Sequence, residues 1–400
     1  MSSSPTSPGG SSGSSLKSDP NIPYYVVTAV LIMGYGSVLT LLAEFRNQFG
    51  FSETQLGIIT AAGFLAGFVA QIALAPLADR GRTGQMIPAG VALAAVSMFG
   101  MVWATQLWAF VSARVLFGFS AGAVSPAMRR LIITRDPENV GQNLGRLTAV
   151  EISGFVLGPA SAAAMVELGG LRVPFIALGV ANVVMLLWVT RLDLQTSANG
   201  GTKYKTWPLL KMPKIQAALL AGVAFYLTIA YFETTWAVLL DDLGAETWLV
   251  GVSLSLFTVP MIVLAPTGGR LTQKLGHSTI VGKSITAAAV CTALYGWIDL
   301  LWPVLLISLV HAVADSFTLP ANQVAIATAS PPEQVAAGQG LFSGIGTLVS
   351  GMVALVAGFL YETTGPKVLY TTAAIAMMVL LVVSLILDRE ELRSRQTSAA

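Results

Sequence analysis

Twelve blocks of mostly apolar residues, parted by short polar stretches, run from near residue 24 to near residue 387 of this 400-residue chain. A helix needs about 20 apolar residues to cross the hydrocarbon of a bilayer. Backbone groups cannot go unpaired in lipid, so blocks of that length must be helices. The spacing predicts spans at about 24–45, 55–78, 87–105, 108–132, 144–166, 173–192, 215–239, 248–272, 281–299, 303–327, 337–360 and 367–387. Spans nine and ten are separated only by Asp299 and Pro303. Alternating ten-residue strands, the mark of an outer-membrane barrel, are absent. Composition agrees: 54% of residues are hydrophobic and 10% charged, whereas soluble domains carry about a quarter charged.

Basic residues set the orientation, because cytoplasmic loops are enriched in Lys and Arg. If the N-terminal tail, the loops after the even-numbered spans and the C-terminus share one side, that side holds 18 of the 22 Lys and Arg. Only Arg46, Arg172 and Lys367 fall on the other side, and Arg114 lies in a span. Both termini are therefore expected in the cytoplasm. The longest polar interruption, 193–214, carries Lys203, Lys205, Lys211 and Lys214 and divides the chain into halves at 22–192 and 215–388. A repeat crosses it. The stretch Ala75-Pro-Leu-Ala-Asp79-Arg80-Gly81-Arg82 follows span two, and Gly269-Arg-Leu-Thr-Gln273-Lys274-Leu-Gly276-His277 follows span eight. Two matched six-helix halves suit a transporter that rocks around a central site.

Several chemistries are disfavoured. The single Cys291 excludes an intrachain disulfide and a thiolate metal site. Two histidines, His277 and His311, make a structural zinc centre unsuitable, so no metal or cofactor is expected. No Gly-rich phosphate loop with Lys supports ATP-driven pumping. A net charge of +2 suggests no nucleic-acid partner. Residues 1–21, rich in Ser, Gly and Pro, read as a disordered tail. They lack the pattern of a secretory signal. Residues 389–400 read as a C-terminal tail.

Three motifs carry more specific content. Asp79-Arg80-Gly81-Arg82 is a short loop in which the glycine permits the turn, and the acid and arginines can bond helix ends. Lys274 and Gly276 occupy the corresponding place in the second half, with Gln273 where the acid would be. Plain charge anchoring at the membrane surface is the other reading of both. In span four, Arg114-x-x-x-Gly118-x-x-x-Gly122 puts two glycines on the face of an intramembrane arginine. Such a charge costs about 2.5–3.5 kcal/mol on insertion scales and needs a partner or a wet cavity, unless it lies at the interface. In span five, Gly154-x-x-x-Gly158-Pro159 removes a backbone donor and admits a neighbouring helix closely.

In order and placement these motifs resemble the major facilitator superfamily, and within it the twelve-span drug/proton antiporters. The first is similar to the family's G-x-x-x-D-R-x-G-R-R, with Ala75 for the leading glycine, one residue fewer and Thr83 for the final base. The third is similar to the antiporter signature G-x-x-x-G-P-x-x-G-G, with Ala162 and Ala163 at the last two glycines. The resemblance implies that the loop stabilises the outward-facing state, that Arg114 takes part in proton coupling, and that the span-five motif marks an exporter.

Polar residues inside spans complete the candidate site. Glu151 lies one turn before Gly154. Glu233 is flanked at helical spacing by Tyr226 and Trp236, an arrangement that suits a lipophilic cation through charge and cation–π attraction; a packing role near the outer surface is the alternative. His311, Asp315, Thr318 and Asn322 form one polar stripe on span ten. His and Asp one turn apart can share and release a proton, or tie two helices together. Glu44, at the outer end of span one, reads as interfacial.

The expected protein is therefore an all-α membrane transporter with twelve helices in two pseudo-symmetric bundles. It would exchange protons for an amphipathic or lipophilic solute and work without a cofactor, with a monomer sufficient. Arg114, Glu151, Glu233, His311, Asp315 and Asn322 are the candidate coupling and cavity residues. Proton-linked uptake of a sugar or organic acid is the alternative on the same fold. A non-transporting receptor or assembly factor is the alternative from another class, with a lipid-processing enzyme more distant.

Overall fold

The computed structural model describes residues 20–51, 53–194 and 206–399. Residues 1–19 of the expected tail and half of the expected 193–214 linker, including Lys203 and Lys205, lie outside the described residues, as do the side chains of Glu233 and Arg389.

The described residues form helices and no strand. They are α1 (Ile22–Thr40), α2 (Leu42–Phe49), α3 (Glu53–Leu77), α4 (Thr83–Trp103), α5 (Leu107–Arg135), α6 (Val140–Gly169), α7 (Arg172–Val189), α8 (Pro213–Asp242), α9 (Thr247–Leu275), α10 (His277–Tyr295), α11 (Leu301–Ala329) and α12 (Val335–Ala399). Together α1 and α2 make one crossing. Gly365, with φ of 81° in the left-handed region, divides α12 into two. The total is twelve.

Two expectations change. The first span is not one helix over 24–45. It breaks at Leu41, whose N–H bonds the Val38 carbonyl 3.2 Å away, and α2 then turns Phe45 onto Phe110, with ring centroids 4.5 Å apart. The last helix does not end near 387 but runs on through the expected tail to Ala399.

Burial follows the bilayer rather than water. Leu168, Phe359 and Leu306 are 85%, 66% and 66% exposed, while Arg114 and His311 are fully buried. A soluble protein would reverse this pattern. Among the described residues nine apolar helical stretches are long enough to cross a membrane, with a shorter one at Ile22–Val38. One of the nine, Ile58–Trp103, holds two crossings because the chain turns within it at Gly81, where φ is 78°.

Helix packing repeats between the halves. In the first half α3 packs on α5, α1 on α6, α4 on α5 and α4 on α7. In the second half α9 packs on α11, α8 on α12, α10 on α11 and α10 on α12. These are the same four contacts, shifted by six crossings. The halves meet along α6–α9 and α3–α12, which the same shift interchanges. The fold is thus two pseudo-symmetric six-helix bundles.

Several contacts are made backbone to backbone, since small residues let helices approach closely in lipid. A Cβ on Gly118 would fall 2.3 Å from the Gly63 carbonyl oxygen, and one on Gly122 2.6 Å from that of Gly67, which sets α5 on α3. A Cβ on Gly154 would meet the Ala29 carbonyl at 2.8 Å and one on Gly158 that of Met33 at 2.3 Å, while Pro159 abuts Gly36. The span-five motif thereby seats α6 on α1.

Candidate transport and gating sites

At the end of the molecule that carries the Asp79 loop, two acceptors reach across the interface between the halves. Asp79 is 5% exposed. Its Oδ1 and Oδ2 accept hydrogen bonds from the N–H groups of Ala336 and Ala337 at 2.9 and 2.7 Å. It thus caps the first turn of α12, where unpaired amides and the helix dipole attract an anion. Arg130 of α5 lies 2.5 Å from the same carboxylate and donates to the Pro332 carbonyl at 3.0 Å. Burial raises the Asp79 carboxyl to about 6, against the lowering pull of the two amides and Arg130.

Gln273, at the matching place in the second half, accepts from the Gly141 N–H at 2.9 Å and donates to the Glu138 carbonyl at 2.7 Å. It caps the start of α6. Beside it the backbones of α6 and α9 touch: a Cβ on Gly269 would lie 1.8 Å from the Gly141 carbonyl oxygen. Gly276, with φ of 86°, ends α9 and starts α10, its N–H bonding the Thr272 carbonyl at 2.9 Å. Gly81 makes the turn after Asp79. Arg80 is half-buried, and Arg82 and Lys274 are exposed.

Deeper in the interface, Arg129 of α5 grips both oxygens of Glu151 on α6 at 2.9 and 2.8 Å and donates to Ser343 Oγ on α12 at 2.5 Å. The two side chains are 8% and 16% exposed. Thr148 of α6 donates to Gln323 of α11 at 2.7 Å, a second polar tie between the halves. Tyr226 of α8 packs on Phe342 and closes over Gly346 of α12.

Arg114 is deep in the first half. Its guanidinium sits 5.0 Å from the Tyr35 ring centroid, and Nη1 reaches the Tyr35 carbonyl at 3.5 Å. Nε and Nη2 have no hydrogen-bond partner among the described residues. Gly63 makes room for it, since a Cβ there would lie 2.9 Å from Nη2. This is a desolvated charge held by an aromatic face.

The α11 stripe faces α10. His311 Nδ1 meets Tyr295 Oη at 3.0 Å, Thr318 donates to Ser284 Oγ at 2.8 Å, and Asn322 Oδ1 meets His277 Nε2 at 2.8 Å. Asp315 Oδ2 lies 3.6 Å from His311 Nε2, and both residues are buried. Neither of those two atoms has a hydrogen-bond partner among the described residues. The stripe thus pairs antiparallel with α10 and leaves one buried acid–imidazole pair unsatisfied.

The structure does not bring Tyr226 and Trp236 together. Trp236 is buried in the second half, stacked on Phe232 at 4.3 Å and donating to Ser253 Oγ at 3.0 Å. Sequence reading passed over Arg129 and Arg130, although the adjacent pair at the end of span four was a visible signal. It also passed over Ser343 and Gln323, which nothing in their local sequence marks.

Twelve crossings in two repeated bundles, with buried polar ties between them, define a helical membrane transporter of the two-bundle type. The chain belongs to the Major Facilitator Superfamily, whose sequence profile matches residues 24–253 and 218–400. It is 23% identical over 362 residues to the quinolone resistance protein NorA of Staphylococcus aureus, covering 87% of this chain and 91% of that protein. It is 26% identical over 306 residues to the multidrug resistance protein MdtG of Escherichia fergusonii, covering 71% and 73%. Among solved structures it resembles the human organic anion transporter MFSD10 (TM-score 0.69, 16% identity, 92% of this chain and 100% of that one). It also resembles the E. coli fucose:proton symporter FucP (TM-score 0.72, 14% identity, 92% and 98%). Those two likenesses bear on the fold alone.

Proposed function

We propose that the chain is a secondary transporter of the cell membrane that exports a small amphipathic or lipophilic molecule in exchange for protons. The observation that carries this reading is the likeness of most of its length to two drug-resistance proteins. The geometry supports it. The halves, 22–192 and 215–388, are tied at one end by Asp79, Gln273 and Arg129, as closure of that end requires. With both termini in the cytoplasm, as the basic loops lead us to expect, closure at this end is what an outward-facing state needs. His311 and Asp315, a buried titratable pair without full hydrogen bonding, are the proton site, with Glu233 as a further intramembrane acid; membrane-buried ionisable groups are functional candidates by default.

Purified protein in liposomes tests this. Lipophilic cations should drive proton movement in the wild type and fail to do so in Asp315→Asn. Normal coupling in both Asp315→Asn and Glu233→Gln overturns the assignment of the proton site. Proton-linked uptake is the second reading, kept open because the same fold serves a fucose:proton symporter. Accumulation of solute in right-side-out vesicles, in place of extrusion, would establish uptake, and the absence of any flux would leave a non-transporting role.

A further inference from the structure

A groove of about 560 Å³ opens on the membrane-facing surface between α10 and the part of α12 after Gly365. Ala289 and Ala293 of α10 and Ala374 of α12 keep its floor low, while Ile375, Val379 and Val382 wall it. Those three wall residues are 60%, 57% and 49% exposed. Along α12 it runs from Thr371 to Val383, twelve residue steps or about 18 Å at 1.5 Å per residue. One leaflet supplies about 15 Å of hydrocarbon, so the groove is one acyl chain deep.

Its mouth lies at the Gly296–Gly365 end. There Lys367 Nζ stands 5.6 Å over the Trp297 ring, and Trp297 Nε1 donates to Thr371 Oγ1 at 3.1 Å. Trp297 is 63% exposed, and Lys367 is exposed as well. An exposed tryptophan at this level belongs to the headgroup boundary. A fixed ammonium one turn above the apolar channel is complementary to a phosphate. Asp299 and Glu362, both exposed near the same turn, suit the amine of a headgroup but not a free fatty acid.

We propose that this groove holds a phospholipid of the leaflet at the Lys367 end, with one acyl chain between α10 and α12 and its phosphate on Lys367. The site is separate from the ties between the halves and stands whether the protein exports or imports. By lining the second half it would fix the seating of α12 against α10.

The test uses the full chain in nanodiscs with a phospholipid carrying a photoactivatable acyl chain, the crosslinks being mapped by peptide mass spectrometry. Label should concentrate on α10 and α12. Val379→Trp, a lipid-facing position that fills the groove, should abolish it there, and Lys367→Gln should lower it about five-fold, the weight of one basic residue at a lipid surface. Label spread evenly around the membrane face, or unchanged in both variants, overturns the proposal. Displacement of the lipid by a lipophilic cation dye also overturns it, because the groove would then be an entry path for solute.

Discussion

Asp79 caps the start of α12 as Gln273 caps the start of α6, each from the opposite half and at equivalent places in the repeat. One cap is ionisable and the other is not. Burial in the closed state holds the Asp79 carboxyl at about 6 against an ordinary 3.8. A carboxyl whose value is higher when closed binds a proton on closing, so acid favours closure. This contribution is complete below about 3.8 and is lost as the pH rises through about 6. Relative to pH 7, the closed state should gain about tenfold at pH 5. Spin-label distances between the Asp79 ends of the halves will check this; Asp79→Asn should flatten the pH response, and an unchanged response in that variant would refute it.

Gly269→Ala should hold the same end open. Its methyl group would overlap the Gly141 carbonyl, and neither partner is a flexible side chain. Overpacking of this kind costs about 1–3 kcal/mol. The state with α6 and α9 apart escapes that cost. A cysteine placed at Ser343 should react faster with a water-soluble maleimide in this variant than in the wild-type background.

Arg129 and Glu151 should show strong coupling in stability. Removing one member of a buried ion pair costs about 3–5 kcal/mol, because the other is left charged and unpaired. Arg129→Met and Glu151→Leu should each lower the thermal midpoint in detergent sharply, and the double variant should recover much of the loss. Additive losses would show that the pair is not a unit.

Asn322→Leu should loosen the α10–α11 contact by leaving His277 without its partner. An unpaired buried polar group costs about 1–3 kcal/mol. Tyr295→Phe, which strips the hydroxyl from His311, should cost a similar amount. Hydrogen exchange along α10 will register both, with the effect confined to the end of the helix where the bond is lost.

Much of the fold was legible because the bilayer enforces it. Apolar length fixed the number of crossings, and the Asp79 and Gln273 loops marked the repeat. The break at Leu41 left no such trace, since no proline or glycine adjoins it and the aromatic packing of Phe45 decides it. The α11 stripe was visible as spacing, but its partners on α10 depend on how two antiparallel helices register. Arg129 and Glu151 lie 22 residues apart on successive helices. Their pairing follows from the crossing geometry of α5 and α6, which no local pattern encodes. Ser343 is farther still from Arg129 in sequence, and the contact joins the two halves.

The glycine contacts of α5 on α3 and of α6 on α1 have a mechanical consequence. Where two backbones touch, no side chain remains to act as a spring, so neither helix can yield without the other. Each bundle then behaves as a stiff lever arm. A force applied at a bound solute is passed to the caps at Asp79 and Gln273 with little slack, and inhibitors that wedge these seams apart would disable the lever without occupying the solute site.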